Sequence, residues 1–177
     1  MTLTTNAAGI SLIETSEGLV LTATRDPTGL WTIGYGHTVG VTAGERITPA
    51  QASALLAQDL AVFEAGVGAV ALNPSSNEFS AMVSLAFNIG MGAFKGSTVL
   101  RDHNAGNKAG AADAFLLWNK AHVDGQLVEL RGLDVRRAAE RALYLKPGVA
   151  TAPLGGTYVG TMYGLGGTPL RLSVTIG

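Results

Sequence analysis

The chain has 177 residues, enough for one domain or a domain with a small appendage, and 47% of them are hydrophobic, which excludes a disordered chain. Charged residues make up only 14%, against the usual ~25%, and there is no cysteine, so disulfide frameworks and thiolate metal sites are excluded. The net charge of −1 is unevenly placed: residues 1–90 carry two basic and seven acidic side chains, residues 91–177 ten basic and six acidic. That asymmetry suits either an anionic ligand on the second half or a solvated surface, and it falls short of the basic excess of a nucleic-acid binder.

The first residues, from Met1 to Ile10, lack the basic region and apolar run of a secretory signal. No stretch of 18 apolar residues occurs, so no membrane span is expected. Residues 11–17 read as the end of a first helix, with Ile10, Leu12 and Ile13 on its apolar side. Residues 19–25 are partly alternating and β-branched, Asp26-Pro27-Thr28-Gly29 is a turn, and residues 30–35 alternate Trp31, Ile33 and Tyr35 against Thr32 and Gly34. This predicts a small β-hairpin.

Thr48-Pro49-Ala50-Gln51 opens a second helix with a capping box and a proline in the first turn, running to about Val70. Ser75 and Glu78 form another capping box. Behind it Phe79, Met82, Val83, Leu85, Ala86, Phe87 and Ile89 cover most of a helix circumference, which predicts a buried central helix. Helices over 98–104 and 108–118, a turn-rich stretch with Asp124-Gly125, and a strong helix over 133–145 follow, the last stopped by Lys146-Pro147-Gly148. Residues 147–177 are Gly- and Thr-rich, carry one charge (Arg171) and end in an alternating strand pattern over 170–176. The expected fold is α+β: a small N-terminal β-hairpin, a mainly helical lobe, and a β-like tail.

The three histidines, His37, His103 and His122, are scattered and support no metal site, and Walker loops and G-x-S-x-G elbows are missing. Gly34-Tyr35-Gly36 alone is too short to specify a dinucleotide site. The carboxylates remain. Glu17 stands where a helix hands over to the hairpin, Asp26 in the turn, Thr32 on the returning strand. A carboxylic acid, a carboxylate and a hydroxyl converging on one cleft are the parts for hydrolysing a glycosidic bond: a proton for the leaving oxygen and a positioned water. Capping or solvation is the competing reading of acidic residues in such places.

The run Glu17-Gly-Leu-Val-Leu-Thr-Ala-Thr-Arg-Asp26-Pro-Thr-Gly-Leu-Trp-Thr32-Ile-Gly-Tyr-Gly-His37 closely resembles the signature of the phage-type lysozymes, such as that of T4, in glycoside hydrolase family 24: Glu, eight residues, Asp or Cys, five residues, Thr, then Ile-Gly-x-Gly-His. The resemblance extends over about residues 8–146, through Gln58-Asp59-Leu60, Phe87-Asn88-Ile-Gly, Phe115-Leu-Leu-Trp118 and Gly132-Leu-Asp-Val-Arg136-Arg137-Ala-Ala-Glu140. It implies a lysozyme-like fold with a cleft between the two lobes, residues 1–146 as catalytic domain, and Glu17 as general acid, with Asp26 activating water and Thr32 holding it. It implies an inverting muramidase that cuts the β-1,4 bond between N-acetylmuramic acid and N-acetylglucosamine in peptidoglycan, with no cofactor.

Glu14, one turn earlier, is off the motif and reads as a solvated helix residue. The resemblance pairs His37 with Asp59 as a structural pair. Tyr35, Asn88, Arg136 and Arg137 are candidates for contacting substrate, with packing or solvation as the alternatives, and the sequence does not say which arginine faces Glu17. A glycan-binding module without activity and a virion structural protein are the competing functions, though a pure binder need not keep Glu17, Asp26 and Thr32 together. The expected biology is an endolysin acting as a monomer, held in the host cytoplasm until a holin gives it access to the wall. The tail, residues 147–177, resembles nothing in that family and is expected to pack on the domain, because its apolar stripe suits burial.

Overall fold

The computed structural model describes residues 3–148 apart from Pro27 and Asp124, and beyond them the backbone of residues 157–163 and 169–175. In chain order the elements are α1 (Ala7–Glu17), β1 (Val20–Arg25), β2 (Trp31–Gly34), α2 (Pro49–Gly68), α3 (Ser76–Lys95), α4 (Thr98–Asn104), α5 (Lys108–Phe115), β3 (Lys120–Val123), β4 (Gln126–Glu129), α6 (Arg131–Leu145), β5 (Thr157–Tyr163) and β6 (Pro169–Thr175). A helical lobe, a small hairpin and a cleft between them form the lysozyme-like α+β arrangement expected from the sequence.

The helices start where their capping chemistry places them. The Asn6 side chain accepts from Gly9 N at 3.0 Å and opens α1, while its Nδ2 donates to Asn77 Oδ1 at 2.8 Å and so docks α1 on the start of α3. Both predicted capping boxes form, Thr48 with Gln51 and Ser75 with Glu78. The α3 residues Phe79, Met82, Val83, Leu85 and Ala86 are wholly buried, and α1, α2, α4 and α6 surround the helix. The core continues through Ile13, Leu60, Phe94, Phe115 and Tyr144. His103 belongs to it, its Nδ1 2.7 Å from the Tyr144 hydroxyl and its Nε2 3.1 Å from Leu72 O. Burial pushes its pKa down, and neighbouring Lys108 does the same.

Strands β1 and β2 pair antiparallel, with Thr24 opposite Thr32 and Val20 opposite Gly34, and an irregularity between Val20 and Thr24. The following segment lies along β1, with Ala23 N donating to Glu45 O and Ile47 N to Leu21 O. The hairpin is thereby held against α2.

Two elements differ from the sequence reading, and the central helix gains an end that the sequence left open. It bends at Gly90, whose φ of 82° lies in the left-handed region that glycine enters without strain, and α3 continues to Lys95. Helix α5 closes at Phe115 rather than Trp118, because Leu116, Leu117 and Trp118 donate to carbonyls three residues back, a tighter turn than the α-helix. The stretch around Gly125 is not merely a turn: β3 and β4 pair from Lys120–Glu129 to Val123–Gln126. Asp124 itself lies outside the described residues.

In the tail, β6 covers most of the predicted strand, and β5, not predicted, pairs with it antiparallel from Thr157–Thr175 to Tyr163–Pro169. Ile176, and the expected packing of residues 147–177 on the domain, lie outside what is described.

Candidate active site

Glu17 is the last residue of α1. The chain must turn sharply there to enter β1, and Gly18 does so at φ 75°, its N–H donating back to Glu14 O at 3.0 Å. The Glu17 side chain is left at the rim of the helix end, 24% exposed. A carboxylate at a helix C-terminus faces the negative end of the helix dipole, so it needs a cation. Arg136 supplies it: its Nη1 donates to Glu17 Oε1 at 2.7 Å. Oε2 of Glu17 has no hydrogen-bond partner among the described residues.

Arg136 is 5% exposed and reaches Glu17 from beneath. Its Nε donates to Glu140 Oε1 at 3.2 Å and its Nη2 to Ser84 O at 3.2 Å. Arg137, one residue on, points elsewhere because successive helix positions are about 100° apart. It is wholly buried, and its Nη2 donates to Glu140 Oε1 at 2.9 Å. The two arginines therefore divide, Arg136 to Glu17 and Arg137 into the core. Burial pulls the Arg137 pKa down, against the attraction of Glu140.

Asp26 sits in the hairpin turn and is held locally. Its Oδ1 accepts from the Thr28 hydroxyl at 2.7 Å, Thr28 N at 2.8 Å and Leu30 N at 2.9 Å. The Thr28 hydroxyl, with these backbone donors, holds its pKa below the ordinary carboxylate value, so Asp26 is a carboxylate at neutral pH. Thr32 stands on β2 opposite Thr24, its hydroxyl 3.5 Å from Thr24 O, a long contact that leaves the hydroxyl available.

A cavity of about 520 Å³ opens beside Glu17. Tyr35 and Gly36 line it just after β2, Gln58, Asp59, Val62 and Phe63 line it from α2, and Phe87 and Asn88 from α3. Tyr35 and Asn88 thus share a cleft with Glu17, whereas Asp26 and Thr32 lie outside its lining, on the hairpin. Phe63 and Phe87 pack edge to face at 5.3 Å and make the apolar wall. His37 Nδ1 lies 2.9 Å from both Asp59 oxygens, and its Nε2 lies 3.0 Å from Val39 O. This pair ties the segment after β2 to α2.

Glu14 is not a freely solvated helix residue: it is half-buried, the Ser53 hydroxyl lies 3.5 Å from its Oε1, and it faces the Tyr35 hydroxyl. Partial burial and then the negative charge of Glu14 raise the Tyr35 pKa. Among the described residues no group of three or more His, Asp or Glu is gathered to hold a metal ion.

The model of the phage lysozyme family matches residues 14–140, a span that holds every one of these side chains. The chain belongs to the phage lysozyme family. It is 44% identical over 137 residues to an endolysin of Acyrthosiphon pisum secondary endosymbiont phage 1, a match covering 77% of this chain and 94% of that one. It is 43% identical over 143 residues to an endolysin of Salmonella phage P22, with the same coverage of each. Among solved structures it is similar to the muramidase domain of SpmX from Asticaccaulis excentricus, with a TM-score of 0.78 and 42% identity, covering 82% of this chain and 99% of that one.

Within this phage lysozyme fold, Glu140 and Ser84 are the site-supporting residues that sequence reading did not assign. The available signal was the spacing: Glu140 is four residues from Arg136 and three from Arg137, one face of a helix that also had to pack on the buried α3.

Proposed function

We propose that the chain is a muramidase, hydrolysing the β-1,4 bond between N-acetylmuramic acid and N-acetylglucosamine of peptidoglycan, with Glu17 as general acid. The observation that carries the reading is the placement of Glu17 at the mouth of a cleft with one carboxylate oxygen held by Arg136 and the other unpartnered. A sugar chain in the cleft would lie against Phe63, Phe87 and Val62, with Gln58, Thr38 and Asn88 offering hydrogen bonds along the same wall. The leaving oxygen takes the proton of Glu17. Asp26, ionised and held rigidly by its turn, accepts a proton from water, and Thr32 orients that water on the opposite face of the sugar, so the reaction inverts the anomeric centre.

The test uses purified peptidoglycan. Release of reducing ends by the wild type and none by Glu17→Gln is the expected result, and the first-formed product should be the α-anomer. A β-anomer would overturn inversion, and full activity in Glu17→Gln would overturn the assignment of the acid.

The proposal includes a route: accumulation in the host cytoplasm, passage through a holin, and action as a monomer. No helix among the described residues is long and apolar enough to cross a membrane. Lysis of a host expressing the full chain without a holin would overturn this part. The proposal also divides the chain into a catalytic domain, residues 1–146, and a tail packed upon it. Asn77 Nδ2 donates to Lys146 O and Pro147 O, which starts the tail beside the Asn6 cap of α1. Removing residues 149–177 should lower the melting temperature and leave the reducing-end assay active below it; an unchanged melting temperature would refute the packing.

A further inference from the structure

Arg136 spends three donors on three elements: Nη1 on Glu17 at the end of α1, Nη2 on Ser84 O in α3, and Nε on Glu140 within α6. Glu140 is wholly buried, and its Oε1 accepts from the Ser84 hydroxyl at 2.7 Å as well as from Arg137 and Arg136. Burying a carboxylate with two guanidiniums is a poor way to gain stability, since apolar side chains of similar volume commonly do as well or better. The network is better explained by what it holds.

The charges around Glu17 can be counted. From α6 come Arg136 in contact and Arg137 behind it, with Glu140 between them. From α3 come Ser84 and Asn88, which carry none. Across the cleft stand Asp59 and His37, already paired, on the hairpin Asp26 is held by the donors of its own turn, and on α1 itself Glu14 is turned toward Tyr35 and Ser53. Glu140 is therefore the group that offsets the second arginine. Because Arg136 is anchored at both of its other nitrogens, Glu17 is the member of the ion pair free to move, from its exposed position at the helix end.

We propose that Glu140 is a positioning residue for the Glu17 reaction: with Ser84 it clamps Arg136 beneath Glu17 and balances Arg137, so that Glu17 faces a single positive charge and can leave it to take up and donate a proton. This rests on the muramidase reading above. Without Glu140, Glu17 would face two uncompensated guanidiniums.

The experiment is the pH profile of peptidoglycan hydrolysis by the full chain. In Glu140→Gln the alkaline limb of kcat/KM should move to lower pH by about one unit, a loss of about tenfold at a fixed pH on that limb. In Ser84→Ala the charges are kept and the clamp is loosened, so kcat should fall about threefold with KM and the limb unchanged. A folded Glu140→Gln variant with the wild-type limb overturns the proposal. Should Glu140→Gln fail to fold, wild-type kcat in Ser84→Ala overturns it by itself. A wild type that releases no reducing ends, or a fully active Glu17→Gln, would instead sink the reading of the site, so the two failures are distinguishable.

Discussion

Glu17 is held by a residue 119 positions away in the chain, whereas Asp26 is held by Thr28 and Leu30, two and four positions away. The first arrangement exists only when α1, α3 and α6 have packed. The second is a turn that satisfies its own carboxylate. As the proposed acid, Glu17 has to change protonation during the reaction, so its surroundings need a charge balance that no short segment can supply. As the proposed base, Asp26 has to be ionised already, and a few local donors suffice. The difference predicts that damage to the helical lobe reaches the acid and spares the base.

Glu17→Gln gives the largest effect. The amide keeps the hydrogen bond to Arg136 through its oxygen and loses the proton. Hydrolysis should fall by about 10³-fold or more, while the melting temperature shifts little. Asp26→Asn should cost about 10²-fold, since water loses its proton acceptor while the amide oxygen still accepts from the turn. Thr32→Ala should cost about tenfold, because it removes an orienting hydroxyl from an otherwise intact hairpin. Equal losses at all three positions, measured as initial rates on purified peptidoglycan, would erase the distinction drawn between the two carboxylates.

Legibility in the sequence follows the same division. The hairpin could be read because turn chemistry and strand alternation are short-range, and so could the capping boxes at Thr48 and Ser75, whereas Glu17, Asp26 and Thr32 stood out through the resemblance of their spacing to the phage-type lysozyme signature. The β3–β4 hairpin escaped: its strands are four residues each, and β4 is exposed throughout, so no buried face imprinted an alternation. The strand β5 escaped for a related reason: its apolar residues Tyr158, Val159, Met162 and Tyr163 fall at both odd and even positions and give no clear stripe. The partner of Glu17 was narrowed to two adjacent arginines and no further. Choosing between them requires the rotation of α6 about its axis, which is set by packing against α3. The clamp of Glu140 and Ser84 was illegible because 56 residues separate its two members and each, read alone, is an ordinary polar position.

A smaller perturbation tests the local half of the comparison. Thr28→Val removes the hydroxyl, the largest single contributor to the lowered pKa of Asp26, and leaves the backbone donors Thr28 N and Leu30 N in place. The carboxyl should therefore rise toward its ordinary value without reaching it. In the proposed mechanism Asp26 serves as a base only when ionised, and its ionised fraction falls as pH drops through its folded pKa. Raising that pKa moves the acidic limb of kcat/KM to higher pH. At neutral pH both proteins keep Asp26 ionised, so their rates should be equal. The alkaline limb, which the proposed mechanism assigns to the acid, should stay where it is, because among the described residues no hydrogen bond or ion pair joins Thr28 to the Glu17–Arg136–Glu140 network. The corresponding stability term has the same sign: a depressed carboxyl favours the folded state above its unfolded value, and the benefit is lost as pH falls through the folded value. Movement of the alkaline limb in Thr28→Val, or an acidic limb that stays fixed, would show that the two carboxylates are not tuned independently.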